Sequence, residues 1–203
     1  MTSGLYHEGH RRLQDKFDSR RIADRLEQVT LHNTFLPHER QMIEQADMFF
    51  LATADAEGRP DVSYKGGLPG FVRAISDDTL AFPHYDGNGM FKSLGNILTN
   101  PHVGLLFIDF EEQGRTRVQG RASVHDDDPL LAEFPGAQLI IRVKAERVFP
   151  NCPRYIHKMQ LVERSVFAPK AGHEPPVPDW KMMPVFKDHL PKAGPAACDL
   201  SEE

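Results

Sequence analysis

Apolar positions in the first thirty residues recur every three to five places: Leu13, Phe17, Ile22, Leu26 and Val29 stand among arginines and acids. That spacing predicts one amphipathic helix over residues 10–29. Residues 33–36 read as a connector. A short second helix starts after Pro37, a residue tolerated in a first helical turn, and runs through Met42 to Ala46.

The period then shortens to that of strands. The apolar run 49–53 ends in the turn signal Asp55-Ala56-Glu57-Gly58; residues 61–65 follow Pro60, then a Gly-Gly-Leu-Pro-Gly corner at 66–70. Residues 71–75 and 79–82 flank the turn Ser76-Asp77-Asp78. Residues 92–99 read as a short helix stopped by Asn100-Pro101. Strands are predicted over 102–110, 117–125 and 139–149, with a helix-like stretch at 129–134. Short strands with turn chemistry between them suggest an antiparallel meander curling into a barrel. After Ala168 the chain turns rich in Pro, Gly and Lys and is expected to be loop or disordered. The expected division is a helical extension over 1–34, a barrel over 35–165 and a Pro-rich tail over 166–203.

Composition narrows the function classes. With 203 residues, 40% of them hydrophobic and 26% charged, the chain can build a core. A net charge of -5 argues against a nucleic-acid scaffold, which carries a basic face. Cys152 and Cys198 are far apart, so no disulfide framework is expected and the chain reads as cytoplasmic. Residues 1–10 lack the apolar core of a signal peptide, and no apolar run approaches the roughly 20 residues a membrane helix needs.

Three segments carry candidate chemistry. In the first, Ser63 and Lys65 lie two apart and project to one face of a strand, a hydroxyl beside an ammonium. Gly66 and Gly67 follow, where a missing Cβ lets the backbone approach a planar ligand. In the second, a glycine-rich turn holding Asn88 leads to a helix start at Lys92 and Ser93, with Asn96 one turn on. Free N–H groups beside Lys and Ser make a phosphate site. The Lys-Ser pair is not a Walker A loop, because Phe91 stands where that loop needs glycine. In the third, Arg115, Arg117, Gln119 and Arg121 put a polar face on a strand, which by itself reads as a solvated sheet face.

In order, Phe50-Leu51-Ala52-Thr53, Gly58-Arg59-Pro60, the corner Lys65 to Phe71, Gly87-Asn88 and Gly95-Asn96-Ile97 form one series. Asn100-Pro101-His102-Val103-Gly104-Leu105, Arg117-Val118-Gln119-Gly120 and Asn151-Cys152-Pro153-Arg154-Tyr155-Ile156 continue it. This series, over about residues 35 to 160, resembles the pyridoxamine 5′-phosphate oxidase-like family of FMN-binding split barrels. The resemblance implies a mainly β fold, a six-stranded antiparallel split barrel with peripheral helices. It also implies a homodimer with FMN in clefts near the subunit interface. It assigns Ser63 and Lys65 to the strand facing the flavin and its phosphate, and Lys92 and Ser93 to the phosphate grip. Asn88 and Asn96 flank that loop, and Arg154 and Tyr155 lie in the late segment contributing to the flavin site.

Two departures argue against a strict pyridoxamine 5′-phosphate oxidase. The Arg- and His-containing end that closes over substrate phosphate has no match in residues 175–180, and Ser63 replaces an expected strand arginine. The function expected is therefore an FMN-dependent oxidoreductase acting on a small-molecule substrate or electron donor. The alternative is a non-catalytic flavin- or haem-type binding module on the same barrel. No catalytic side chain and no metal site are assigned. His7 and His10 have helical metal-ligand spacing but no third ligand near a frayed end. His84 reads as a satisfied loop histidine, Cys152 as buried packing, Trp180 as an anchor for the tail, and Asp126 to Asp128 as a solvated turn capping a helix.

Overall fold

The predicted barrel is present as one antiparallel sheet. In this computed structural model, residues 4–192 are described. The strands are β1 (Met48–Ala54), β2 (Pro60–Gly66), β3 (Arg73–Ala74), β4 (Thr79–Tyr85), β5 (His102–Asp109), β6 (Gly114–His125) and β7 (Ala137–Pro150). Their order is β2-β1-β5-β6-β7-β4-β3, so the ladder is open and its two ends are β2 and β3. Seven strands stand where the resemblance implied six. The extra one is two residues long, because Phe71 and Val72 leave the ladder and bury their side chains in the core.

Alternation builds the inside. Along β1, Phe49, Leu51 and Thr53 are buried, and along β5 so are Val103, Leu105 and Phe107. The Phe49 ring lies 5.0 Å from those of Phe82 and Phe107 and 5.9 Å from that of Phe71. Burying each such ring contributes about 1.5–3 kcal/mol. Four successive residues of β4, Leu80 to Pro83, are buried because both its faces are covered. Ala81 packs outward with Ile140 and Phe134, beneath a 3-10 turn over Pro129–Glu133. Asp128 caps that turn by accepting from the Leu130 N–H at 2.9 Å, and Arg142 holds its carboxylate. Asp128 is thus buried rather than solvated. A bulge at Gln119/Gly120 kinks β6, and Gly120 is required there: a Cβ would stand 2.1 Å from the Lys144 carbonyl oxygen.

Helix α3 (Pro37–Gln45) packs against β3 and β5, with Ile43 fully buried. Its Glu39, 1% exposed, accepts from the Leu36 N–H and lies 2.7 Å from His32 Nε2. His32 in turn exchanges two backbone hydrogen bonds with Val148. The single helix expected over 10–29 is two, α1 (Glu8–Lys16) and α2 (Arg20–Thr30), broken where Asp18 turns left-handed at φ 50°. Neither buries a residue, and the apolar stripe Leu13, Phe17, Ile22, Leu26, Val29 is exposed. His7 and His10 form the cap of α1, with His7 Nδ1 accepting from Gly9 and the His7 N–H donating to His10 Nδ1. Helix α4 (Lys92–Thr99) occupies the predicted residues. The tail is not all loop: α5 (Asp179–Met182) and α6 (Pro184–Lys187) are short helices. Cys198 lies outside the described residues. Among those described, no helix is long and apolar enough to cross a membrane.

Candidate functional site

An edge strand of a barrel ordinarily turns its apolar residues inward. β2 does the reverse: Val62 and Tyr64 are 66% and 62% exposed, while Asp61, Ser63 and Lys65 take the more sheltered positions. These polar side chains face a cleft of about 550 Å³ between β2 and the end of β4, floored by Phe82. Among the described residues no strand pairing joins β2 to β4, so the cleft opens where the ladder is split.

The loop after β4 brings a helix start to the same place. Asn88 Oδ1 accepts from the Met90 N–H at 3.0 Å, Gly89 turns at φ 75°, and Phe91 follows at φ 48°. A bulky residue in the left-handed region costs of order 1 kcal/mol and points to a constraint at that position. It serves as the N-cap of α4 and offers no side-chain cap, so the first N–H groups, beside Lys92 and Ser93, border the cleft without one. Ser93 is 5% exposed.

Electrostatics set the remaining character. Burial lowers the proton affinity of the Lys65 ammonium, and Asp61 only partly restores it. His84, whose ring centroid lies 5.3 Å from that of Phe91, is pushed down to about 4 by burial and then by the Lys65 charge, with Asp86 opposing. It is therefore neutral at pH 7, with one ring nitrogen donating and one accepting. Burial raises Tyr85, and Arg73 pulls the other way. A half-buried cation, a second cation and an uncapped helix start converge on one cleft walled by flat rings. This donor set fits a dianionic phosphate carrying a planar group.

Of the predicted site residues, Ser63, Lys65, Gly66, Asn88, Lys92 and Ser93 line this cleft. Gly67, Asn96, Arg154 and Tyr155 lie outside its lining. Asn96 is buried and donates to Thr53 Oγ1 at 2.9 Å, pinning α4 to β1. Gly66 and Gly67 admit rings of their own chain: a Cβ would meet the Tyr64 ring at 2.6 Å and Phe71 Cγ at 2.5 Å. Tyr155 is 86% exposed, and the Arg154 guanidinium lies 5.9 Å from its ring. Arg115 donates to the Cys152 carbonyl, and Cys152 is exposed, contrary to the packing role expected; hydrogen bonds from Arg154 lower its thiol pKa.

His84, read from the sequence as a loop histidine, is a residue of β4 that lines the cleft, as does Phe91. Trp180 and Pro178 return from the tail to line the cleft, so the tryptophan does more than anchor the tail. A larger groove of about 1140 Å³ separates the barrel from segment 159–169, but Asp47, Asp109, Glu111, Glu112 and Glu163 make it hostile to an anion.

Three solved structures are similar to part of this chain. A putative pyridoxamine 5′-phosphate oxidase from Lactobacillus delbrueckii is 24% identical (58% of this chain, 95% of that one, TM-score 0.48). An FMN-binding protein from Syntrophomonas wolfei is 14% identical (71% and 96%, TM-score 0.41). HutZ, the haem storage protein from Vibrio cholerae, is 19% identical (56% and 92%, TM-score 0.42). No curated protein sequence matches the chain. The sequence profile described as pyridoxamine 5′-phosphate oxidase matches residues 35–164, well over half of the chain, and the protein belongs to that family.

Proposed function

We propose that the protein is an FMN-binding flavoprotein, an oxidoreductase acting on a small molecule in the cytoplasm, and not a strict pyridoxamine 5′-phosphate oxidase. The observation that carries this reading is the convergence of Lys65, Lys92, Ser93 and the uncapped start of α4 on the cleft at the split. Lys92 and the α4 N–H groups would hold the phosphate, with the Ser93 hydroxyl donating to it. Lys65, sheltered from water, would add a stronger charge-assisted bond than an exposed lysine. Phe82, Tyr85 and Phe91 give apolar walls suited to a flat ring system. When bound, FMN supplies the redox chemistry, so no side chain here need act as a nucleophile. His84, neutral at pH 7, is placed to exchange a hydrogen bond with a ligand at either ring nitrogen.

Arg154 and Tyr155 lie outside the cleft of their own chain. In the proposed homodimer, with FMN near the interface, they would be offered to the site of a second copy, and solution mass measurement tests the dimer. The departure from the strict oxidase is consistent with Pro178 and Trp180 lying at the cleft, where an Arg- and His-bearing closure would otherwise be expected.

The purified protein should be yellow and release FMN, not FAD, on denaturation. Lys92→Ala should weaken FMN by about 1.5–3 kcal/mol. A colourless protein that cannot be loaded with FMN would sink the reading. His84 also favours a second reading: a neutral imidazole in a cleft is a haem ligand type. A Soret band lost in His84→Ala would select that reading over flavin.

A further inference from the structure

The C-terminal segment travels about ninety positions beyond β4 in sequence and comes back to the mouth of the cleft. Pro178 and Trp180 line it. The next residue, Lys181, forms an ion pair with Asp86, the residue that follows the last position of β4, and its side chain is 20% exposed. The Phe186 ring of α6 stands edge-on to the Trp180 indole, at 5.9 Å between centroids and 81° between planes. Lys181 Nζ also lies 5.8 Å from the indole ring. The indole is thus held from two sides while it borders the cavity. An aromatic side chain left as a cavity wall, and not sunk in the core, presents a flat polarisable face to whatever enters.

We infer that residues 178–181 form the roof of this cleft, latched by Lys181 and Asp86, and that Trp180 is its specificity-determining residue. The indole selects a flat, conjugated ring system and excludes bulky, non-planar ligands. The cations at the α4 start read the anionic end of the ligand, and Trp180 reads its ring. The identity of that ring as a flavin rests on the function proposed above; the roof does not.

Two measurements on the full chain separate these claims. Trp180 is the sole tryptophan, so its emission reports on the roof alone. In flavin-free protein, acrylamide should quench wild-type Trp180 less than it quenches the same residue in Lys181→Gln or Asp86→Asn. Equal quenching in all three, at the level of free indole, overturns the roof. In flavin titrations, Trp180→Ala should weaken FMN and riboflavin alike, each roughly 10-fold, and Trp180→Phe should retain most of the affinity. Lys92→Ala should weaken FMN and leave riboflavin unchanged. Wild-type affinity in Trp180→Ala, with an unaltered far-UV spectrum, overturns the specificity role. Failure of the wild-type protein to bind either flavin defeats the proposed cofactor and the ring selection together, while the acrylamide result still decides the roof.

Discussion

Replacing Lys65 by methionine sets the needs of the site against the needs of the fold. The Lys65 ammonium occupies the sheltered face of β2, where burial opposes its charge and Asp61 is the favourable neighbour. Such a cation is unfavourable in the ligand-free fold and becomes useful only when an anion arrives. Methionine keeps a similar length and apolar stem and removes the charge. A charge-assisted hydrogen bond to phosphate is worth about 1.5–3 kcal/mol, so Lys65→Met should weaken FMN roughly 10- to 150-fold by calorimetric titration. The ligand-free variant should match or exceed wild-type stability, by up to about 1 kcal/mol in urea unfolding. His84 supplies an internal check, since Lys65 is the second cause of its depressed pKa. In Lys65→Met its imidazole should titrate above about 4 yet below 6.5, followed by NMR, because burial, the larger cause, remains. FMN affinity within twofold of wild type would remove Lys65 from the site. An unmoved His84 would break the electrostatic link between β2 and β4.

Three further outcomes follow from single contacts. His84 titrates below its ordinary 6.5 in the fold, so on acidification the unfolded chain takes up its proton first. Its contribution is therefore full above about pH 6.5 and lost as pH falls towards 4. Since water reaches the cleft and screens the charge, the loss should be about 1–2 kcal/mol, and melts of wild type and His84→Gln from pH 7 to 4 with the same slope would contradict it. Gly120→Ala forces a methyl against the Lys144 carbonyl and should cost about 3 kcal/mol or more by urea unfolding, unless β7 shifts. Glu39→Ala strips the Leu36 N–H and His32 of their shared acceptor; a loss of about 2–4 kcal/mol in thermal unfolding is expected, and a loss under 1 would show that the link is dispensable.

Much of the fold was legible because local rules and tertiary structure agree in the barrel. β5 and β6 alternate as their burial demands, and Asn100-Pro101 ends α4 as proline chemistry requires. The break at Asp18 was hidden, since the apolar stripe runs through it and a left-handed aspartate leaves no periodic trace. The candidate site was legible in its polar residues, for Lys65, Lys92 and Ser93 do line one cleft. On β2 the two-residue spacing did show Ser63 and Lys65 sharing a face, but not the inversion that leaves this polar face sheltered while Val62 and Tyr64 point outward. That inversion appears only once the neighbours of the strand are known. Trp180 was hidden by distance, because nothing in a Pro-rich stretch says which part of the barrel it will touch. Its ion pair with the barrel runs through Lys181, one lysine of several in the tail.

The split in the ladder has a mechanical consequence. Among the described residues, strand pairing joins the two walls of the cleft, β2 and β4, only the long way round, through β1, β5, β6 and β7. Its width is therefore governed by the curl of the whole sheet, as the gap in a spring washer is governed by its arc. A ligand gripping both walls would act as a clasp and resist uncurling far from where it sits. Amide exchange along β5 and β6 should then slow on loading, even though no ligand atom touches those strands.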